Sequence, residues 1–520
     1  MSQSLHPIDI VILVAYLVAL AGVGVYFSRR QTNLDEFFRA RQSMAWLPVG
    51  LSLMAALNSG IDYLMQPAST IRYGLILLVG TSSWLFLYPC VAFVTLPFYR
   101  RLRVFTAYEF LEARFDARVR VLAAAILIVW RLGWMATATY VPCLAINAAT
   151  GGRADLTPMI LVLGALVTLY TMLGGIQAVI WNDVIQFCIM FGGLAATVWI
   201  SLSHVPGGLA EVWTAASVAG KTSLATPLIL PAGAGLVDRV RVFFEQPVNV
   251  TAILCAIVFG RMAGYTSDQV MVQRFQTTRS LDDSRRAFVI NAAGDALWMF
   301  GLSFVGLALL AYFNHHPLPA DLAPDKILPY FMTQAFPAGA VGLVIAAILA
   351  ASLSSIDSAI NACTSVLVID VYHRFVRARI AGAADDRHQV TVSRLATVLF
   401  GTIGTLLATN VSRIGTLLEI ANKLVNAFSG PLFGIYLLAM FSRRATGGPT
   451  LLAGIVGTFV SYFVAYQTSI GFMWPSTFGL AATVVTGWAL SRLSAVRPTD
   501  QAMQLTWWHV MQREEAVVRS

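Results

Sequence analysis

The sequence predicts an all-α integral membrane protein of about thirteen transmembrane helices. Hydrophobic residues make up 57% and charged residues only 12% of its 520 positions, about half the charge of a soluble domain. Apolar runs near the twenty residues that cross a bilayer recur along the whole chain. Arginines crowd every other connection between those runs, the asymmetry that fixes orientation in membranes. The formal charge of +9 is therefore read as membrane topology, and nucleic acid is not expected as a partner.

The runs cover residues 8–28, 46–71, 75–99, 120–150, 156–174, 177–203, 247–266, 287–313, 340–372, 390–409, 414–441, 447–466 and 474–491. The first is too long for a signal-peptide core and lacks a small-residue cleavage site. The second, LSLMAALNSGIDYLMQPASTIRYG, carries Asn58, Ser59, Gly60 and Asp62 mid-span, with Pro67 a turn later. Such a helix can unwind and free its carbonyl oxygens for an ion. The plainer reading is a kinked packing helix, against which Asp62 speaks, because a carboxylate inside a span is costly.

The fourth span holds Arg131 beside Trp130 and Trp134, and the eleventh holds Lys423. In the sixth, Asp183 lies about two turns in, as a hydrated interfacial carboxylate or as part of a second cation site. In the seventh, Arg261 stands between Gly260 and Gly264, where a further helix break is expected. A buried arginine needs a counter-charge. Asp62 or Asp357 is the expected partner, with the structural pairing favoured for Arg131. The alternative, favoured for Arg261, is the carboxylate of a solute, which fits the planar guanidinium fork.

The ninth span is the most telling. Ala351, Ser354, Ser355 and Ser358 are spaced i, i+3, i+4 and i+7 and so share one helix face. One serine there would simply bond back to the preceding turn or join two helices. Three on a face beside Asp357 predict a cation site. Oxygen ligands without imidazole or thiolate suit a hard ion such as Na⁺.

The odd-numbered connections carry Arg29, Arg30, Arg39 and Arg41; Arg100, Arg101, Arg103, Arg114, Arg118 and Arg120; Arg274, Arg279, Arg285 and Arg286; Arg374, Arg377, Arg379 and Arg387; and Arg443 and Arg444. This places the N-terminus outside and the C-terminus in the cytoplasm. The outer loops 204–246 and 314–339 are expected to carry short helices over an entrance, and the amphipathic inner stretch 104–118 to lie along the interface. The five cysteines sit inside apolar runs without a CxxC pair, as packed thiols. One transmembrane domain is expected over residues 1–492, with a polar tail over 493–520.

Four blocks resemble the sodium:solute symporter family, whose fold is the LeuT-type inverted repeat: ALNSGIDYLMQPASTIRYG (56–74), YTMLGGIQAVIWNDVIQ (170–186), SDQVMVQRFQTTRSLDDSRRA (267–287) and SLSSIDSAINACTSVLVIDVY (352–372). The segment YVPCLAINAATG (140–151) leans toward the branch with iodide, monocarboxylate and multivitamin carriers. The resemblance implies an extra N-terminal helix, two five-helix repeats over about 46–203 and 247–441, and two further helices. It implies a Na⁺ site made of the backbone carbonyls of Ala55, Asn58 and Ala351 with the hydroxyls of Ser354 and Ser355. A second cation near Asp183 and Ser358 is implied for some members. Here Asp357 stands where the family usually has a hydroxyl, and Ala56 replaces another.

The function implied is Na⁺-coupled symport of a small organic solute by alternating access across the cell (inner) membrane. An organic anion such as a carboxylate is expected, with a neutral sugar or an amino acid as the alternative. Asp62, Gln66, Arg131, Trp134, Arg261 and Tyr265 are the expected solute contacts. Na⁺ is the co-transported ion, no oligomer is required, and no enzymatic step is expected. The short tail leaves no signalling module for a transporter-like sensor, and the seven histidines lie at or beyond span ends.

Overall fold

A computed structural model of the chain describes residues 6–28, 40–102, 104, 106–227, 230, 233, 235–319, 322–376, 386–413 and 416–512. Arg29, Arg30, Arg39, Arg103, Arg377 and Arg379 of the basic connections lie outside the described residues, as do the side chain of Arg387 and residues 513–520 of the tail. Among the described residues the architecture is helical throughout, and the apolar runs become helices in the order read above. Eight helices are long and apolar enough to cross a membrane, and four shorter apolar helices accompany them.

Helix α1 (Pro7–Ser28) precedes a broken pair, α2 (Trp46–Leu57) and α3 (Gly60–Tyr73). The chain continues in a helical rod of changing pitch, Gly74–Leu102, which includes α4 (Trp84–Cys90) and α5 (Leu96–Leu102). The short α6 (Ala107–Arg114) leads to α7 (Ala117–Ala149) and α8 (Leu156–Ser203). The 48 residues of α8 are about twice what one crossing of a hydrocarbon core needs. It carries both the fifth and the sixth spans, and Tyr170 of the one and Asp183 of the other, the latter through Arg274, reach the same stretch around Asp357 and Ser358. The loop 204–246 does hold short helices, α9 (Gly208–Val218) and α10 (Leu236–Glu245).

A second broken pair follows, α11 (Val250–Ser267) and α12 (Gln269–Gln276), then α13 (Leu281–His315), the short α14 (Ile327–Ala335) and α15 (Ala340–Val366). The last is prolonged by a π-type segment, Leu367–Val376. Helices α16 (Asp386–Ala408), α17 (Leu417–Ile420), α18 (Ser429–Phe441), α19 (Gly447–Gln467) and α20 (Pro475–Leu493) complete the bundle, with α21 (Asp500–Met503) and α22 (Trp507–Gln512) in the tail.

Helix α15 forms the axis. Every residue from Val344 to Val366 is buried, against α7, α8, α2 and α3. Its N-terminus is held by α1: Asp9 Oδ1 accepts the backbone N–H of Gly339 (2.8 Å) and Gly342 (2.7 Å), satisfying donors the helix leaves open.

Two expectations are corrected here. Arg261 marks no break, because α11 runs unbroken through Gly260, Arg261 and Gly264 and stops at Asp268 (φ −91°, ψ 120°). The stretch around 107–114 is not a surface helix. Tyr108, Phe110 and Leu111 are buried, and Arg114 donates to the carbonyls of Ala439 (3.1 Å) and Ser442 (2.7 Å), so its amphipathic face meets protein.

Candidate cation and solute site

Helix α2 ends because Asn58 (φ −101°, ψ 143°) and Ser59 (φ −130°, ψ 170°) are extended. Helix α3 restarts at once through a reciprocal cap. Ser59 Oγ accepts from the Ile61 N–H (3.1 Å), and Asp62 Oδ2 accepts from the Ser59 N–H (2.7 Å). Gly60 allows the new helix to lie against α15, where a Cβ would stand 2.7 Å from the Ile348 carbonyl oxygen.

The break faces the serines of α15. Ser354 Oγ lies 2.8 Å from the Ala55 carbonyl oxygen and 2.9 Å from that of Ala351. Ser355 Oγ lies 3.4 Å from the Asn58 carbonyl oxygen. The carbonyls of Ala55, Asn58 and Ala351 and the two hydroxyls thus converge in one buried place, a cluster of neutral oxygens suited to a desolvated hard cation.

Beside it, the second polar cluster differs from what the sequence led us to expect. Asp183 is fully buried and not an interfacial, hydrated carboxylate. It accepts from Ser52 Oγ (2.5 Å) and from Arg274 Nη2 (2.8 Å). Arg274, counted above among the loop cations, is 1% exposed and also donates to Ser52 Oγ (2.7 Å) and Ser358 Oγ (2.5 Å). Asp357 accepts from Tyr170 Oη (3.2 Å) and Ser358 Oγ (3.3 Å). Arg274 escaped sequence reading because α12 follows the second break and folds back into the core. The only signal was its position eight residues into a family block that begins where the seventh span ends.

A cavity of about 230 Å³ opens next to the break, and Asn58, Asp62, Gln66, Arg131, Trp134, Arg261 and Tyr265 all line it. All six expected solute contacts therefore share one space. The counter-ions are not Asp62 or Asp357. Arg131 pairs with Asp268, its Nε 3.2 Å from Oδ1, while its guanidinium lies over Trp130 (4.7 Å) and Trp134 (5.6 Å). Arg261 pairs with Asp295 (2.7 Å) and lies over Trp84 (4.6 Å), whose indole N–H donates to the same carboxylate (2.8 Å). Asp268 sits at the second break, where its side chain also accepts from the Val270 N–H (3.0 Å), and Asp295 comes from α13. Neither lay in a position that sequence could match to an arginine. Gly260 and Gly264 face open space, where a Cβ would meet nothing within 4 Å. They widen the cavity where a break was expected.

The profile of the sodium:solute symporter family matches residues 37–457. The chain belongs to the sodium:solute symporter family. It is accordingly a multi-pass membrane transporter that couples solute movement to Na⁺, and it is not an enzyme. The chain is 29% identical to the sodium/sialic acid symporter NanT of Aliivibrio fischeri over 494 residues, covering 94% of this chain and 93% of that protein. It is 28% identical to the human sodium-coupled monocarboxylate transporter 1, over 89% of this chain and 73% of that one. The solved substrate-bound, outward-open state of a Na⁺-coupled sialic acid symporter superposes with a TM-score of 0.83 at 28% identity, over 95% of this chain and 99% of that one. Mhp1, a nucleobase-cation-symport-1 family transporter in a closed conformation, superposes at 0.56 with 14% identity and shares the fold alone.

Proposed function

We propose that the protein imports a small organic anion, a carboxylate, together with Na⁺ across the cell (inner) membrane, with its N-terminus outside and its C-terminus in the cytoplasm. The convergence of the Ala55, Asn58 and Ala351 carbonyls with Ser354 and Ser355 carries the reading. An ion there ties the broken α2–α3 helix to α15. Asn58 belongs to both that cluster and the cavity wall, so seating the ion shapes the solute pocket. The potential alone adds about 2.3 kcal/mol per charge per 100 mV to inward movement.

Donors favour an anion. Arg131 and Arg261 reach the cavity, and the indole N–H groups of Trp130 and Trp134, both buried, have no protein partner. Each guanidinium carries five N–H donors, and the pairings with Asp268 and Asp295 leave some of them for a solute. Asp62, which is partly accessible and bonded through one oxygen to Ser59, favours a second reading: a solute that also bears an amine, as an amino acid does.

At the second cluster, Arg274 holds Asp183 and Ser358 in the manner of a cation. A further cation would therefore fall to Asp357. The core repeats are taken as 46–203 and 247–441, their first helices broken at Asn58–Ser59 and at Asp268. The deciding experiment is uptake into proteoliposomes under an inward Na⁺ gradient. Carboxylates should accumulate, and collapse of the gradient should abolish it. Na⁺-driven uptake of neutral sugars alone would overturn the anion reading.

A further inference from the structure

Between α18 and α20 the outer surface of the bundle opens into a groove of about 480 Å³. It lies at the end of the molecule where Arg114 reaches the Ser442 carbonyl. Leu437, Phe441, Val484 and Trp488 give it an apolar wall, and Arg443, Arg444 and Arg492 stand exposed at its rim. No carboxylate lines it, and none of the three arginines is in an ion pair among the described residues. Arg492 is held over the Trp488 ring at 4.0 Å. Trp488 and its neighbour Val485 are 51% and 63% exposed, on a helix whose surroundings in a membrane are lipid.

We propose that this groove binds an anionic phospholipid, its phosphate on Arg443, Arg444 and Arg492 and an acyl chain against Leu437, Val484 and Trp488. Three uncompensated guanidinium groups call for an anion with several acceptor oxygens. A soluble anion would leave the apolar slot below them unfilled, whereas a phospholipid matches both parts at once. Basic pockets between helices at a membrane face suit such headgroups. The stack of Arg492 on an interfacial tryptophan fixes one cation at headgroup depth. The competing occupant is the chain beyond Gln512, which carries Glu514 and Glu515. Trp507 and Trp508 bring that end close, against Phe441, but its two carboxylates are offset by Arg513 and Arg519, and Ala516, Val517 and Val518 are its whole apolar content.

The test is native mass spectrometry of the delipidated full-length protein, titrated with phosphatidylglycerol or phosphatidylcholine, alongside thermal unfolding in nanodiscs of each. Wild type should prefer phosphatidylglycerol. Each guanidinium removed should lower that preference roughly fivefold. Arg492→Gln alone should read that step, and Arg443→Gln, Arg444→Gln and Arg492→Gln together should cost about a hundredfold. Lysine at the three positions should keep most of it, and Arg239→Gln with Arg241→Gln, in α10, should change nothing. Equal binding of the two lipids by wild type, or an unchanged preference in the triple glutamine variant, overturns the proposal. So does a preference that emerges only after truncation behind Gln512, since the tail would then be the occupant.

Discussion

Replacing Ser354 and Ser355 by alanine tests the cation site most directly. Both hydroxyls are buried, and Ser354 Oγ lies 2.8 Å and 2.9 Å from the carbonyl oxygens of Ala55 and Ala351. A hydroxyl bonded to a charged group contributes about 1.5–3 kcal/mol. Loss of one such ligand should therefore weaken Na⁺ binding roughly 10- to 150-fold, and loss of both by about a thousandfold or more. Alanine fills almost the same space, so the helix should persist.

Na⁺ that binds only the folded protein raises its stability by RT ln(1 + [Na⁺]/Kd). In wild type, Tm should climb with Na⁺ at constant ionic strength held by choline, about 1.4 kcal/mol for each tenfold rise above Kd. In Ser354→Ala with Ser355→Ala the rise should vanish over the same range, and solute uptake should lose its Na⁺ dependence. A double variant with the wild-type dependence of Tm and uptake on Na⁺ would refute the site.

Three further outcomes follow from the packing. Arg274→Met strands the buried carboxylate of Asp183 and should cost about 3–5 kcal/mol, read by chemical unfolding, while Arg274→Met with Asp183→Asn should recover most of it. Gly60→Ala places a Cβ 2.7 Å from the Ile348 carbonyl oxygen and should destabilise by about 1–3 kcal/mol; Gly264→Ala, facing open space, should leave Tm unchanged and raise the solute KM by narrowing the cavity. Asp295→Asn removes the counter-charge of Arg261 and the acceptor of the Trp84 indole; uptake should fall at least tenfold, and Asp295→Glu should restore part of it.

The broken helix and its facing serines were legible because both are statements about local chemistry. Polar residues inside hydrocarbon demand a purpose, and a spacing of three, four and seven puts Ser354, Ser355 and Ser358 on one face whatever the fold. Glycine was a poorer guide. Gly260 and Gly264 looked like a hinge, yet the helix persists through them, because helical hydrogen bonds inside a membrane are too costly to give up without polar groups to replace them. The chain does give them up at Asp268, whose carboxylate caps the next helix and meets Arg131.

By itself the sequence determined the helical membrane class, the order of the apolar runs, the family and the serine face of α15, since each depends on composition, period or motif. Only the tertiary structure decided which charges meet. The counter-ions of Arg131, Arg261 and Asp183 lie 137, 34 and 91 residues away. Pairing over such separations is set by how helices pack, and no local spacing encodes it. For the same reason Arg274 looked like a loop cation until the second broken helix carried it into the core.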